Sequence, residues 1–262
     1  MFSRPQEYNT ITPALRDELR TALDEAEADP GVSVVLLAAE GPAFCAGYGL
    51  DWSTVAQTRE QDWDPTVDEF FISQYVDVFT RLWYGRKPTV AAVQGWCIGG
   101  GTDMVLCADL VIAADDARFG YPPARVWGVP TTGMWVYRLG VERAKRYLLT
   151  GDEIPAREAA AMGMILETVP AERLREHAQD LATRMARLPL NQLVLHKRLC
   201  NHPVEQMGLG TGRLLGTLFD GIARHTPEGH RFVTEAMESG FRQAVRERDE
   251  PFGDYGSRPG LR

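Results

Sequence analysis

Apolar residues recur at helical spacing in Arg16–Ala28, at Leu19, Ala22, Leu23 and Ala26, and the run ends at Asp29-Pro30-Gly31. This predicts a helix closed by a turn. Ser33–Ala39 (Ser-Val-Val-Leu-Leu-Ala-Ala) and Thr89–Val93 (Thr-Val-Ala-Ala-Val) are short apolar runs bounded by Gly and Pro, as buried strands are. Between them Trp52–Leu82 is polar and aromatic by turns. Pro65 breaks it, and Phe70, Phe71, Tyr75, Val78, Phe79 and Leu82 form one helix face, read as core packing. Lys87-Pro88 opens the second strand. Helix Thr102–Cys107 and strand Asp109–Ala113 complete a second strand-helix-strand unit, the order of an α/β fold with repeated units. From Pro155 onward helical periodicity dominates, in Ala156–Met162, Ala171–Leu188, Leu190–Leu199 and Gly229–Arg248.

Each predicted strand leads into a glycine-bearing turn: Ala43-Phe44-Cys45-Ala46-Gly47-Tyr48-Gly49-Leu50 after the first, and Gln94-Gly95-Trp96-Cys97-Ile98-Gly99-Gly100-Gly101-Thr102-Asp103 after the second. Both can present a backbone N–H. Two amides converging on one point stabilise an oxygen that gains negative charge during a reaction, an oxyanion hole made without any side chain. Taken alone, Gly99-Gly100-Gly101 also fits a tight turn with no ligand. Glycines there allow close backbone approach, and the helix that follows aims its N-terminal dipole at the same place. Neither a G-x-G-x-x-G fingerprint nor a Walker-type lysine is present, so the loop is not read as a nucleotide-phosphate cradle; G-x-S-x-G and H-E-x-x-H are missing too.

Composition narrows the class. With 262 residues, 44% hydrophobic and 24% charged, the chain reads as an ordinary globular protein with a sizeable core. A net charge of -8 argues against nucleic acid as the main partner. The longest apolar stretches, Val34–Ala39 and Met104–Ala114, fall short of the ~20 residues that span a bilayer. No secretory segment follows Met1. Cys45, Cys97, Cys107 and Cys200 lie far apart, suggesting neither a disulfide framework nor a zinc site. No metal is expected, and a reducing cytoplasm is the expected setting.

The ordered set of these pieces resembles the crotonase (enoyl-CoA hydratase/isomerase) superfamily. Arg4-Pro5, Asn9 and Leu15–Leu23 look like the family's entry into its first helix. Then come Ala108–Ala114, Ala117-Arg118-Phe119-Gly120-Tyr121-Pro122, Leu139-Gly140, Leu149-Thr150-Gly151, Ala159–Gly163 and Val169-Pro170. Glu238–Phe241 through Glu247–Phe252 resembles the closing segment. The resemblance implies an α/β crotonase-type spiral of strand-strand-helix units over 1–196, and a C-terminal helical trimerisation region over 197–262. It further implies a homotrimer or dimer of trimers. Family members carry a strand and hairpin ahead of the Arg-Pro segment, whereas three residues precede Arg4 here; either that hairpin is absent, which leaves a sheet edge exposed, or the true start lies upstream.

Carried over residue by residue, the resemblance makes the Tyr48 and Gly100 amides the donors to a thioester carbonyl, with Ala46, Gly47 and Gly99 beside the substrate. Asp103 stands where the family's hydratases place the first of two catalytic glutamates. It is one methylene shorter, which draws the carboxylate back by roughly 1.5 Å. It is therefore the acid–base candidate, or else a helix-start carboxylate answering the dipole. The second glutamate is missing, since Pro123 occupies its place in Phe119-Gly120-Tyr121-Pro122-Pro123. The segment that follows is about three residues shorter than the family's between Pro130 and Gly140, by that same comparison, and more aromatic. Trp127, Trp135 and Tyr137, with Trp52 and Trp96, suit an acyl pocket or the core; Arg125 suits an acidic acyl tail or an ion pair. The five histidines suit surface roles. Where the family has a lysine that contacts the CoA nucleotide, this chain has Asp51. The implied activity is hydration of a 2-enoyl-CoA. Another enolate or hydrolytic reaction on a bulky or cyclic acyl-CoA, and silent acyl-CoA binding, are its alternatives. Coenzyme A enters as part of the substrate, with no other cofactor.

Overall fold

The computed structural model describes residues 1–49 and 64–255. In chain order the elements are α1 (Pro13–Ala28), β1 (Val35–Leu37), β2 (Ala43–Cys45), α2 (Pro65–Tyr84), β3 (Thr89–Val93), β4 (Trp96–Ile98) and α3 (Gly100–Leu106). Next come β5 (Leu110–Ala114), β6 (Arg118–Gly120), α4 (Met134–Leu139), α5 (Val141–Leu148), β7 (Ile154–Pro155), α6 (Ala156–Ala161) and β8 (Glu167–Val169). Helices α7 (Leu174–Met185), α8 (Leu190–Gln206), α9 (Leu209–Arg224), α10 (Pro227–Ser239) and α11 (Phe241–Asp249) follow.

Among the described residues the strands form two four-stranded sheets, in the orders β1-β3-β5-β8 and β2-β4-β6-β7. The first three units each give one strand to the first sheet and the next to the second, then a helical segment, as the expected spiral does; the last, β7-α6-β8, reverses the order of the sheets. All ladders are parallel except β6–β7. Leu36 sits opposite Val90, and Val90 opposite Leu110, so β3, apolar from Val90 to Val93, is paired on both sides. Every residue of β3 is buried, as parallel strands under helices are.

Local chemistry explains the boundaries. Thr12 caps α1 by accepting from the Leu15 N–H at 3.2 Å, and Leu15, Leu19 and Leu23 form its buried stripe. Pro65 opens α2 as its first residue and does not break it, behind the capping carboxylate of Asp64. Phe70, expected on the buried face of α2, is 66% exposed, while Tyr75, Val78, Phe79 and Leu82 are buried. The predicted helix Gly229–Arg248 is two helices, parted at Gly240, whose φ of +89° interrupts the helical backbone. The first sheet's edge is met by Phe2, whose N–H donates to Ala38 O at 2.8 Å while its carbonyl accepts from Glu40 N at 2.9 Å.

Helix α9 carries glycines at 210, 212, 216 and 221, residues that weaken a helical reading of sequence. In place, two of them are packing notches. A Cβ at 216 would lie 2.6 Å from Pro130 O, and one at 221 would lie 3.3 Å from the Cβ of Asp68. That closeness seats α9 directly on α2. The boundary expected between residues 196 and 197 falls inside α8. Lys197 there is bound into the core, its Nζ pairing with Asp109 at 2.8 Å and donating to Leu82 O at 2.8 Å.

Candidate active site

The first glycine loop is built by the N-terminal segment lying against it. Asn9 Nδ2 donates to Glu40 O and Ala43 O, while the Ala46 N–H donates to Tyr8 O at 3.0 Å. The Ile11 N–H donates to Gly47 O at 2.8 Å, and the Gly49 N–H to Ile11 O at 3.2 Å. Tyr48 is thereby fixed between two backbone anchors. The second loop is held by Thr102, whose hydroxyl donates toward Cys97 O and Gly120 O and so ties the start of α3 to β4 and β6.

The two loops meet backbone to backbone. Gly47 has φ +87°, and a Cβ there would stand 3.1 Å from Ile98 O and 3.7 Å from Gly100 N. Gly100 is the first residue of α3, whose opening N–H groups have no acceptor within the helix. The Tyr48 ring closes over it, because a Cβ at 100 would sit 2.4 Å from Tyr48 Cε2. The sequence-predicted pair therefore lies at one place, and the helix dipole of α3 adds partial positive charge there.

A cavity of about 270 Å³ opens at this point, near the lower edge of small-molecule sites and suited to an acyl group. Ala46, Gly47, Tyr48, Gly99, Gly100 and Trp127 all line it, as expected. Pro123 lines it too, with its Cγ 3.6 Å from the place of a Cβ on Gly99, so the position without a carboxylate does face the site.

Two expected site residues do not line it. The Asp103 carboxylate is buried and turned aside. Oδ2 accepts from the Thr131 N–H at 2.7 Å and the Thr131 hydroxyl at 3.1 Å, and Oδ1 accepts from the Trp135 indole N–H at 2.9 Å. Burial pushes its pKa up to about 7 against the pull of those three donors. Trp135, expected against substrate, is a core residue spent on that bond. The segment between Pro130 and Gly140 supplies both partners. Tyr137 is also elsewhere, its hydroxyl donating to Met207 O. Trp96 stacks on Tyr255, with ring centroids 6.0 Å apart. Asp51 and Trp52 lie outside the described residues. Arg125 neither lines the cavity nor sits at the surface. Its guanidinium is bound to Asp249 and Asp254 at 2.8 Å and lies 3.9 Å from the Phe252 ring centroid.

Part of the remaining wall comes from helices whose contribution the sequence reading missed. Phe232, Phe241, Val245 and Arg248 enter from α10 and α11, and Asp220 and Arg224 from α9. The Phe232 ring packs on Trp127 at 5.7 Å. Arg248 is held by both oxygens of Asp249, at 2.8 and 2.7 Å. Asp220 Oδ1 accepts from the Val129 N–H at 3.2 Å and Oδ2 pairs with Arg224 Nε at 3.1 Å. Arg224 Nη1 reaches Asp68 at 3.6 Å, and Asp68 also takes His225 Nε2 at 2.7 Å. His225 is thus an inner residue, against the surface role expected of it. The signal available in sequence was the i,i+4 pair Asp220/Arg224.

The model of the enoyl-CoA hydratase/isomerase family matches residues 1–239. The chain belongs to that family, within the crotonase superfamily. A solved enoyl-CoA hydratase from Mycobacterium smegmatis is 45% identical, with 99% of this chain and 92% of that one covered and a TM-score of 0.92. An enoyl-CoA hydratase/isomerase structure from Xanthobacter autotrophicus Py2 is 28% identical, over 95% of this chain and 92% of that one, at a TM-score of 0.86. A hydroxycinnamoyl-CoA hydratase-lyase from Pseudomonas fluorescens is 33% identical over 203 residues, 74% of this chain and 70% of that one. The family's α/β spiral is the fold described above. In this crotonase Asp103 is bonded into the wall and position 123 is a proline.

Proposed function

We propose that the protein is an acyl-CoA enzyme of the hydratase type, adding water across a 2-enoyl thioester whose carbonyl oxygen rests between the Tyr48 and Gly100 amides. The observation that carries this is the meeting of those two loops at the head of one cavity. An oxygen docked there gains charge as the enoyl system is attacked, and fixed donors stabilise that charge without reorganising. The aromatic wall of Trp127, Phe232, Tyr121 and Phe71 suits a bulky or ring-bearing acyl group, of the kind named for the Pseudomonas relative. Coenzyme A enters as part of the substrate and no further cofactor is invoked. We place the enzyme in the cytoplasm, where its four unbridged cysteines suit a reducing compartment.

Pro123 in the cavity wall favours a second reading, in which the same oxyanion site serves another enolate reaction or a hydrolysis. Incubation with short, long and ring-bearing 2-enoyl-CoA thioesters, following the conjugated absorbance and product mass, separates the two. A gain of one water without release of free CoA is the expected result. Release of free CoA, or an isomer of unchanged mass, would transfer the assignment to the second reading. Thioester binding with no product would identify a silent acyl-CoA-binding protein.

A further inference from the structure

With proline at 123 and Asp103 turned into the wall, the cavity holds one acidic side chain among the described residues, Asp220 of α9. It shares the lining with Tyr48 and Gly100, and little of its side chain reaches solvent. Its contacts with the Val129 N–H and Arg224 Nε use two of the roughly four lone-pair positions of a carboxylate. The two contacts come from different elements, the segment before α4 and the same helix, and so fix the direction of the group.

The geometry points to Asp220 as the acid–base group of the thioester reaction, held in place by Arg224 and the Val129 amide. This rests on the thioester reading of the cavity given above. One carboxylate suffices if it handles the same proton twice. Water's oxygen forms the bond to Cβ as its proton passes to Asp220, and the alkene π pair moves onto the thioester oxygen between the Tyr48 and Gly100 amides. The enolate then collapses and takes that proton from Asp220 at Cα. The carboxylate is regenerated, and the net change is the addition of one water.

Several groups set its titration. Arg224 on α9 favours the ionised form. Asp68 on α2, itself bound by Arg224 and His225, disfavours it. Tyr48, Tyr121 and Asp103 surround the same region, and Arg248 of α11 lines the cavity while engaged by Asp249. Burial is the largest influence and leaves Asp220 above the ordinary carboxylate range. A general base is needed ionised, so the rate should climb with pH through that raised value.

The test uses the full chain, with binding and chemistry read separately. Binding is followed by calorimetry with butyryl-CoA. Chemistry is followed as water addition to 2-enoyl-CoA and as exchange of the Cα proton of butyryl-CoA in D₂O. Asp220→Asn should keep the butyryl-CoA Kd within about threefold and lose roughly 100-fold or more of both reactions, the scale of general acid–base catalysis. Arg224→Gln removes the cation that favours the carboxylate, so the acidic limb of kcat/KM should move to higher pH, which a merely loosened fold would not do. If Asp220→Asn does not fold, the wild-type limb still decides: a rate flat with pH across the acidic range overturns the proposal. So does Asp220→Asn that retains turnover, or wild type that binds butyryl-CoA yet neither hydrates nor exchanges. A wild type that binds no thioester would defeat the thioester reading itself, and the two failures are thus distinct.

Discussion

The Trp135 indole N–H donates to Asp103 Oδ1 at 2.9 Å, and with the Thr131 N–H and hydroxyl on Oδ2 it closes a three-donor cage around a fully buried carboxylate. The cage gives Asp103 a task other than meeting substrate: it ties α3, whose first residue is Gly100, to the start of α4 and the loop before it. Trp135→Phe removes one donor from a buried acid while keeping an aromatic ring in place. The expected loss is about 1–3 kcal/mol of stability by urea denaturation, with kcat/KM within about threefold at a temperature where both proteins are folded. A hundredfold fall in kcat with unchanged stability would instead return Asp103 to the chemistry.

The same cage fixes a pH dependence. Burial pushes Asp103 up to about 7, above the ~3.9 of an unfolded aspartate. Between those values the folded chain holds a proton that the unfolded chain has released. The group's contribution to stability is therefore greatest below about pH 4 and declines as pH rises to about 7, by at most ~1.4 kcal/mol per unit. Above that both states are ionised and the slope ends. Asp103→Asn should abolish this share of the slope, and the difference between the two stability–pH curves measures it. Parallel curves would show that Asp103 titrates alike in the folded and unfolded chain and carries no share of the slope.

What could be read in sequence follows from where the information is local. Strands β3 and β5 announce themselves as apolar runs, and the Gly47 and Gly99 turns by the residues that tolerate positive φ. The loop at Gly47 could be found from its own residues, a glycine-bearing turn directly after an apolar run, although the Asn9 and Ile11 contacts that dock it come from more than thirty residues away. The direction of the Asp103 side chain could not, because it is set by Thr131 and Trp135, about thirty residues away. Helix α9 was hidden by its own glycines, two of which, Gly216 and Gly221, answer to the close approach of Pro130 and Asp68 and not to any local preference. With α9 went Asp220, the acid that faces the cavity. Tertiary approach overrode propensity in the one helix that carries it.

Gly100 allows a direct test of the oxyanion site, since its amide cannot be deleted but its space can be filled. A Cβ there meets Tyr48 Cε2 at 2.4 Å and Ile11 Cδ1 at 2.9 Å. Gly100→Ala must therefore displace the ring of Tyr48, whose own amide is the second donor we propose. The expected result is a fall in kcat of roughly 100- to 1000-fold, the scale of losing one such donor, with helical circular dichroism retained. A change confined to KM would mean that the alanine obstructs entry and leaves the oxyanion donors aligned.

Helix α9 presents Leu214, Leu215, Phe219 and Ile222, each 43–50% exposed, while its other face carries Asp220 and Arg224 into the cavity. A cluster of large apolar side chains on one helix is what an association surface supplies, and a homotrimer is the assembly the family resemblance implies. Light scattering should then give about three times the 29.2 kDa of one chain, or about six times for a dimer of trimers. Phe219→Glu should lower that mass toward the monomer. Because residues 219 and 220 share a turn, loss of the partner surface should also loosen the acid on the opposite face. Activity is expected to fall with dissociation and to recover as protein concentration is raised. Activity that falls while the mass stays threefold would place the effect at Asp220 alone, and a monodisperse wild-type monomer would remove the trimer altogether.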